Sequence, residues 1–99
     1  MPTLESLKEI LSHFFESKPV ERAWIFGSYT RGEQNINSDI DILVDFANDN
    51  YPSLLMHSSM ICDLEDLFQA KIDLVPRESL YTRVREEIEK EKILIYERI

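Results

Sequence analysis

The chain holds a single cysteine, Cys62, and only two histidines, His13 and His57, among 99 residues. One thiol cannot close an intrachain disulfide, and so few soft ligands leave a structural zinc site without a ligand set. Cys62 falls in a helical, partly apolar segment, so a packing thiol is expected rather than a reactive one. No apolar run approaches the roughly 20 residues that a bilayer span requires. The opening Met1-Pro2-Thr3-Leu4-Glu5 has neither the charged start nor the apolar run of a secretory leader, and a cytoplasmic location is expected. Positive charge is scarce as well: eleven Lys and Arg face nineteen Asp and Glu, a net charge of −8. Such a surface repels phosphate backbones, which argues against non-specific nucleic-acid binding, while a basic patch on a partner protein would be attracted to it. Repeats, low-complexity tracts and linkers are absent. With 43% apolar residues, the composition is that of a folded globule, and one domain over residues 1–99 with a modest core is expected.

What the chain does have is an alternation of helical and extended patterns. Leu4, Leu7, Ile10, Leu11 and Phe14 recur at helical spacing over residues 3–16, with Thr3 as N-cap and Pro19 beyond the end. His13 is expected near the surface of that helix, as a solvated or packing side chain. Residues 20–26 read as a strand whose Trp24 packs against a helix. A short helix follows to about residue 34, then a polar loop over 35–38 and a second strand over 39–46. Ser53 caps a long helix to about residue 69, with Met56, Met60, Ile61, Leu64, Leu67 and Phe68 as its apolar stripe. Residues 71–75 form a third strand. A helix over 78–91 carries Leu80, Val84 and Ile88 at four-residue spacing and a flank of Glu and Lys. Residues 93–96 end the chain as an edge strand or a docking strip. This order implies an α/β (α+β) sandwich built on a small mixed sheet.

Two stretches carry chemistry. In residues 39–46, Asp39, Asp41, Leu43 and Asp45 alternate with Ile40, Ile42, Val44 and Phe46, so Asp39 and Asp41 project from one face of a strand. Adjacent carboxylates repel unless a cation neutralises them, and oxygen ligands alone suit a hard ion such as Mg²⁺. Asp39 and Asp41 also fit a merely solvated acidic face. Twelve residues before Asp39, Gly27-Ser28 breaks an apolar strand. Glycine lets backbone approach a ligand, a following helix start offers amides to phosphate, and Ser28 adds a hydroxyl. Arg31 reads equally as a solvated charge or a phosphate fork. Ser38 reads as a strand-entry serine or as a partner for a carboxylate or phosphate. In the third strand, Asp73 stands between Ile72 and Leu74, a costly place for a carboxylate without a partner. If that strand neighbours residues 39–46 with matching faces, the three carboxylates converge; otherwise Asp73 is an edge residue facing water.

Gly27-Ser28-Tyr29-Thr30-Arg31-Gly32, followed by Ser38-Asp39-Ile40-Asp41-Ile42-Leu43-Val44, resembles the signature of the DNA polymerase β-like nucleotidyltransferase superfamily, and most closely its minimal nucleotidyltransferase branch. The resemblance covers nearly the whole chain. It implies a nucleotidyltransferase fold with helices packed on one face of the sheet. It implies that Gly27 and Ser28 hold the nucleotide, and that Asp39, Asp41 and Asp73 serve as catalytic and metal-binding residues for Mg²⁺; Arg31 and Ser38 are added to the nucleotide-binding set as candidates on their own chemistry, and in-line displacement at phosphate suits two ions. Asp73 would act as base toward an acceptor hydroxyl or help hold metal. The implied donor is ATP and the implied partner a helical HEPN-type toxin, AMP-modified on a tyrosine by its antitoxin in a type VII pair. A docking antitoxin without catalysis, or transfer to a small-molecule hydroxyl, are the competing expectations.

Overall fold

The structure is a computed structural model that describes residues 3–32, 39–47, 52–80 and 82–98, without the side chains of Ser28, Arg31 and Thr82. Its first helix, α1 (Leu4–Phe15), starts where Thr3 accepts a hydrogen bond from the Ser6 amide at 3.1 Å. Leu7, Leu11 and Phe15 repeat every four residues and are fully buried, which fixes the face α1 turns to the sheet. Truncating any of them to alanine is expected to cost about 2–5 kcal/mol.

Four strands form one mixed sheet: β1 (Val20–Phe26), β2 (Ile40–Phe46), β3 (Ile72–Pro76) and β4 (Ile93–Glu97), in the order β3-β2-β1-β4. β1 runs antiparallel to both β2 and β4, whereas β2 and β3 are parallel. A parallel pair needs a crossover, and α3 (Leu54–Phe68) supplies it. Ser53 caps its start by accepting from the Met56 amide. Gln69 ends it in the left-handed conformation, its amide 2.8 Å from the Glu65 carbonyl. No helix among the described residues is long and apolar enough to cross a membrane.

The two sheet faces are filled differently. Ile40, Ile42, Val44 and Phe46, with Ala23, Ile25, Ile72, Leu74 and Ile95, pack against α1 and α3 in the main core. On the opposite face, Ile88 of α4 (Thr82–Glu91) meets Trp24 and Leu43 in a smaller cluster. The helices expected on one face are therefore α1 and α3, and α4 additionally covers part of the other. Trp24 packs against a helix as expected, and Lys92 and Arg77 stand over its ring at 4.4 and 5.1 Å. β4 is the edge strand anticipated at residues 93–96.

Three details correct the periodicity. On α3, Met56 and Leu67 are exposed. The buried row is Met60 and Leu64 flanked by Ile61 and Phe68, and at the first turn His57 faces the sheet, its Nε2 3.1 Å from the Leu74 carbonyl and its ring edge-on to Phe46. Cys62 lies off that row and is exposed, so it is not a packing thiol. The segment 78–91 is not one helix: a 3₁₀ turn (Arg77–Ser79), closed by the Leu80 amide on the Arg77 carbonyl, precedes α4. Leu80 therefore packs from outside the helix, and Val84 is exposed.

Candidate active site

The alternation of β2 sends its even-numbered residues into the main core and leaves Asp41, Leu43 and Asp45 on the other face. β3 repeats the pattern, with Ile72 and Leu74 buried and Asp73 exposed between them. The parallel register then sets Asp41 directly beside Asp73. Register partners in neighbouring strands point to the same side of a sheet, so the two carboxylates share a face. Like charges side by side are destabilising. A cation is one group that would offset such repulsion.

Beside it lies the glycine turn. β1 ends at Phe26, whose register partner is Asp41. Gly27 follows with φ +77°, a conformation that side chains rarely adopt. A Cβ there would collide with the Asp41 carboxylate, whose Cγ it would approach to 3.2 Å. Glycine is needed twice over, for its dihedral and for the room it leaves that carboxylate. The Gly27 carbonyl accepts from the Thr30 amide at 3.1 Å and the Thr30 hydroxyl at 2.8 Å, which closes the first turn of α2 (Ser28–Arg31). The Gly27 amide donates to Oε1 of Glu91 at 3.2 Å. Tyr29 is buried in the main core and anchors α2 to it, and that burial pushes its phenol above the ordinary value.

Of the seven site residues read from the sequence, the structure brings Asp41, Asp73 and Gly27 together. Asp39 lies exposed, one residue before β2 begins. The backbone of Ser28 and Arg31 forms α2, immediately after Gly27, and their side chains lie outside the description. Ser38 lies outside the described residues. Among the described residues no three acidic, histidine or cysteine side chains form a ready-made metal-binding group. The donor chemistry nonetheless fits Mg²⁺, which prefers oxygen and is commonly held by one or two carboxylates plus water and substrate phosphate rather than by an all-protein cage. Sequence reasoning missed Glu91: it sits in a run of charged residues that signals only a solvated helix face, and it reaches Gly27 from 64 positions away.

At the other end of the same face the surroundings reverse. Asp45 has Arg77 Nε at 3.0 Å and Arg22 Nη1 at 3.7 Å. Arg77 also reaches Glu89 at 3.4 Å, and Lys92 reaches Glu89 at 3.1 Å. Partial burial pushes the Glu89 carboxyl up, but Lys92, Arg77 and Arg85 together outweigh it and hold the group below its usual value.

Residues 4–95 match the sequence profile of the nucleotidyltransferase domain family. A Methanocaldococcus jannaschii protein provisionally named a protein adenylyltransferase is 38% identical over 100 residues, covering 96% of this chain and 100% of that protein. The protein adenylyltransferase MntA of Thermococcus cleftensis is 36% identical over 99 residues, covering 96% of this chain and 98% of its own. In three dimensions, a toxin–antitoxin crystal structure with AMP-PNP superposes with a TM-score of 0.73 at 23% identity, over 92% of this chain and 72% of that one. A Shewanella oneidensis complex of a tri-AMPylated HEPN toxin with its MNT antitoxin superposes at 0.65 and 15% identity, over 92% and 73%. These two likenesses are of fold.

Proposed function

This chain belongs to the nucleotidyltransferase domain family, and from that premise we propose that it transfers AMP from ATP to a hydroxyl of a helical HEPN-type toxin, as the antitoxin of the pair. The observation that carries the reading is the register pairing of Asp41 with Asp73 against the Gly27 turn. The acceptor hydroxyl, a tyrosine's in this reading, attacks the α-phosphorus of ATP. A P–O bond forms there, the bond to the bridging oxygen of the β-phosphate breaks, and pyrophosphate leaves. The hydroxyl proton passes to Asp73, the more exposed of the paired carboxylates. The turn at Gly27 and Ser28, with Arg31 and Ser38, receives the phosphates. Its own amide and carbonyl are already engaged by Glu91 and Thr30, so Gly27 contributes shape rather than a free donor. Asp39 and Asp41 would hold Mg²⁺, with Asp73 alongside; when bound, the ions neutralise phosphate charge and stabilise the leaving pyrophosphate. Holding hydroxyl and phosphate in line supplies much of the remaining rate.

The acidic surface also supports a protein acceptor over a nucleic-acid one, because a net charge of −8 disfavours a polyanion. The test is mass spectrometry of a HEPN-type partner protein co-expressed with this chain. A toxin mass raised by one or more AMP units, and unchanged with Asp41→Ala, is the expected result. A neutralised but unmodified toxin would replace transfer with docking. Modification of a small molecule by the isolated chain would replace the protein acceptor.

A further inference from the structure

We infer that Glu91 is a positioning residue for the nucleotide site, its carboxylate holding the Gly27 turn in the shape that receives phosphate; the inference rests on the nucleotidyl-transfer reading above. The β1–β4 ladder pairs Ile25 with Ile93. Carried two residues further along both antiparallel strands, that register sets Gly27 opposite Glu91. Yet β4 begins only at Ile93, and Glu91 is still the last residue of α4. Where continued ladder pairing would place a backbone carbonyl, the Glu91 side chain supplies Oε1, 3.2 Å from the Gly27 nitrogen. The neighbouring Glu86, Glu87, Glu89 and Lys90 are exposed, whereas Glu91 is half-buried at this contact.

The turn is thus fixed from three directions. Glu91 takes its amide, Thr30 bonds its carbonyl twice, and the Asp41 carboxylate fills the space beside its Cα. A glycine at positive φ has many backbone alternatives when it is not held. Fixing it before the ligand arrives removes an ordering cost from binding. A second anion near a triphosphate site is electrostatically unfavourable, so the contribution of Glu91 is its reach and its acceptor oxygen rather than its charge.

Reach and charge can be separated. Glu91→Gln keeps the length and an acceptor oxygen but loses the charge; Glu91→Asp keeps the charge but falls one methylene short. Binding of Mg²⁺ with a non-hydrolysable ATP analogue is measured by calorimetry, alongside KM, kcat and thermal midpoint. Glu91→Asp and Glu91→Ala are expected to weaken analogue binding and raise the KM for ATP by about tenfold, the scale of one lost hydrogen bond. Their kcat should stay within about threefold, since chemistry at saturation leaves the turn occupied. Glu91→Gln should bind as the wild type does. Wild-type binding in Glu91→Asp and Glu91→Ala, with only a lowered midpoint, would reduce Glu91 to a structural cap and overturn the inference. So would a Gln variant as weak as Ala. Analogue binding needs no toxin. A wild-type chain that binds nucleotide but modifies nothing would therefore sink the proposed function while still deciding the role of Glu91.

Discussion

One face of β2 carries aspartates at both ends, and the two ends are used in opposite ways. Asp45 sits between Arg22 and Arg77, which tie the strand to β1 and to the turn after β3. Asp41 has a second carboxylate, Asp73, as its ladder neighbour and a glycine pressed against it. No ion pair among the described residues involves Asp73 or Asp39. The same residue type, four positions apart on one face, stands between two arginines at one end and beside a second carboxylate and a glycine turn at the other. The difference teaches that an aspartate on a strand is not itself a signal; its cross-strand neighbour decides whether it holds the fold or serves a ligand.

The comparison can be broken most forcefully at Asp41. Asp41→Asn is expected to lower the transfer rate by about 10³-fold or more, the scale for losing a preorganised electrostatic group. A transfer rate equal to that of the wild type would place Asp41 with Asp45 and collapse the distinction. Gly27→Ala should cut transfer by about 100-fold and destabilise by about 1–3 kcal/mol, since its Cβ displaces the carboxylate and its φ is strained; urea unfolding and a transfer assay read the two effects separately. Asp45→Asn is the reciprocal experiment. It should destabilise by about 1–2 kcal/mol by leaving two guanidinium groups without a full counter-charge, and calorimetry should show that loss while the rate of the folded enzyme stays unchanged. The smallest effect is one of pH. The folded-state value of Glu89 lies below its ordinary one, so its contribution is present above that ordinary value and disappears as pH falls through the folded one. Because the pair is near the surface, the difference between wild type and Glu89→Gln should shrink by no more than about 0.5 kcal/mol between pH 7 and pH 3.

Much of this arrangement is legible along the chain. Alternation in residues 39–46 separates core from open face without reference to any other segment. The capping roles of Thr3 and Ser53 are local, since each side chain bonds an amide three residues on. Where reading failed, the deciding neighbour was distant. Met56 and Leu67 have the right spacing for a core stripe, but both are exposed in the folded chain. Helical periodicity over 78–91 does not reveal that Arg77 to Leu80 closes a 3₁₀ turn first. Glu91 looked like one more charge on a solvated helix.

By itself the sequence determined which residues alternate, which turn must be glycine, and that Asp41 and Asp45 share a side, because strand and helix periods are properties of adjacent backbone units. Only the tertiary structure decided that Asp73 stands next to Asp41, that Asp45 is claimed by two arginines, and that Glu91 reaches Gly27. Those pairings depend on strand order and register. These are set by how the α3 crossover and the β4 edge pack onto the whole sheet, and no stretch of chain carries that information alone.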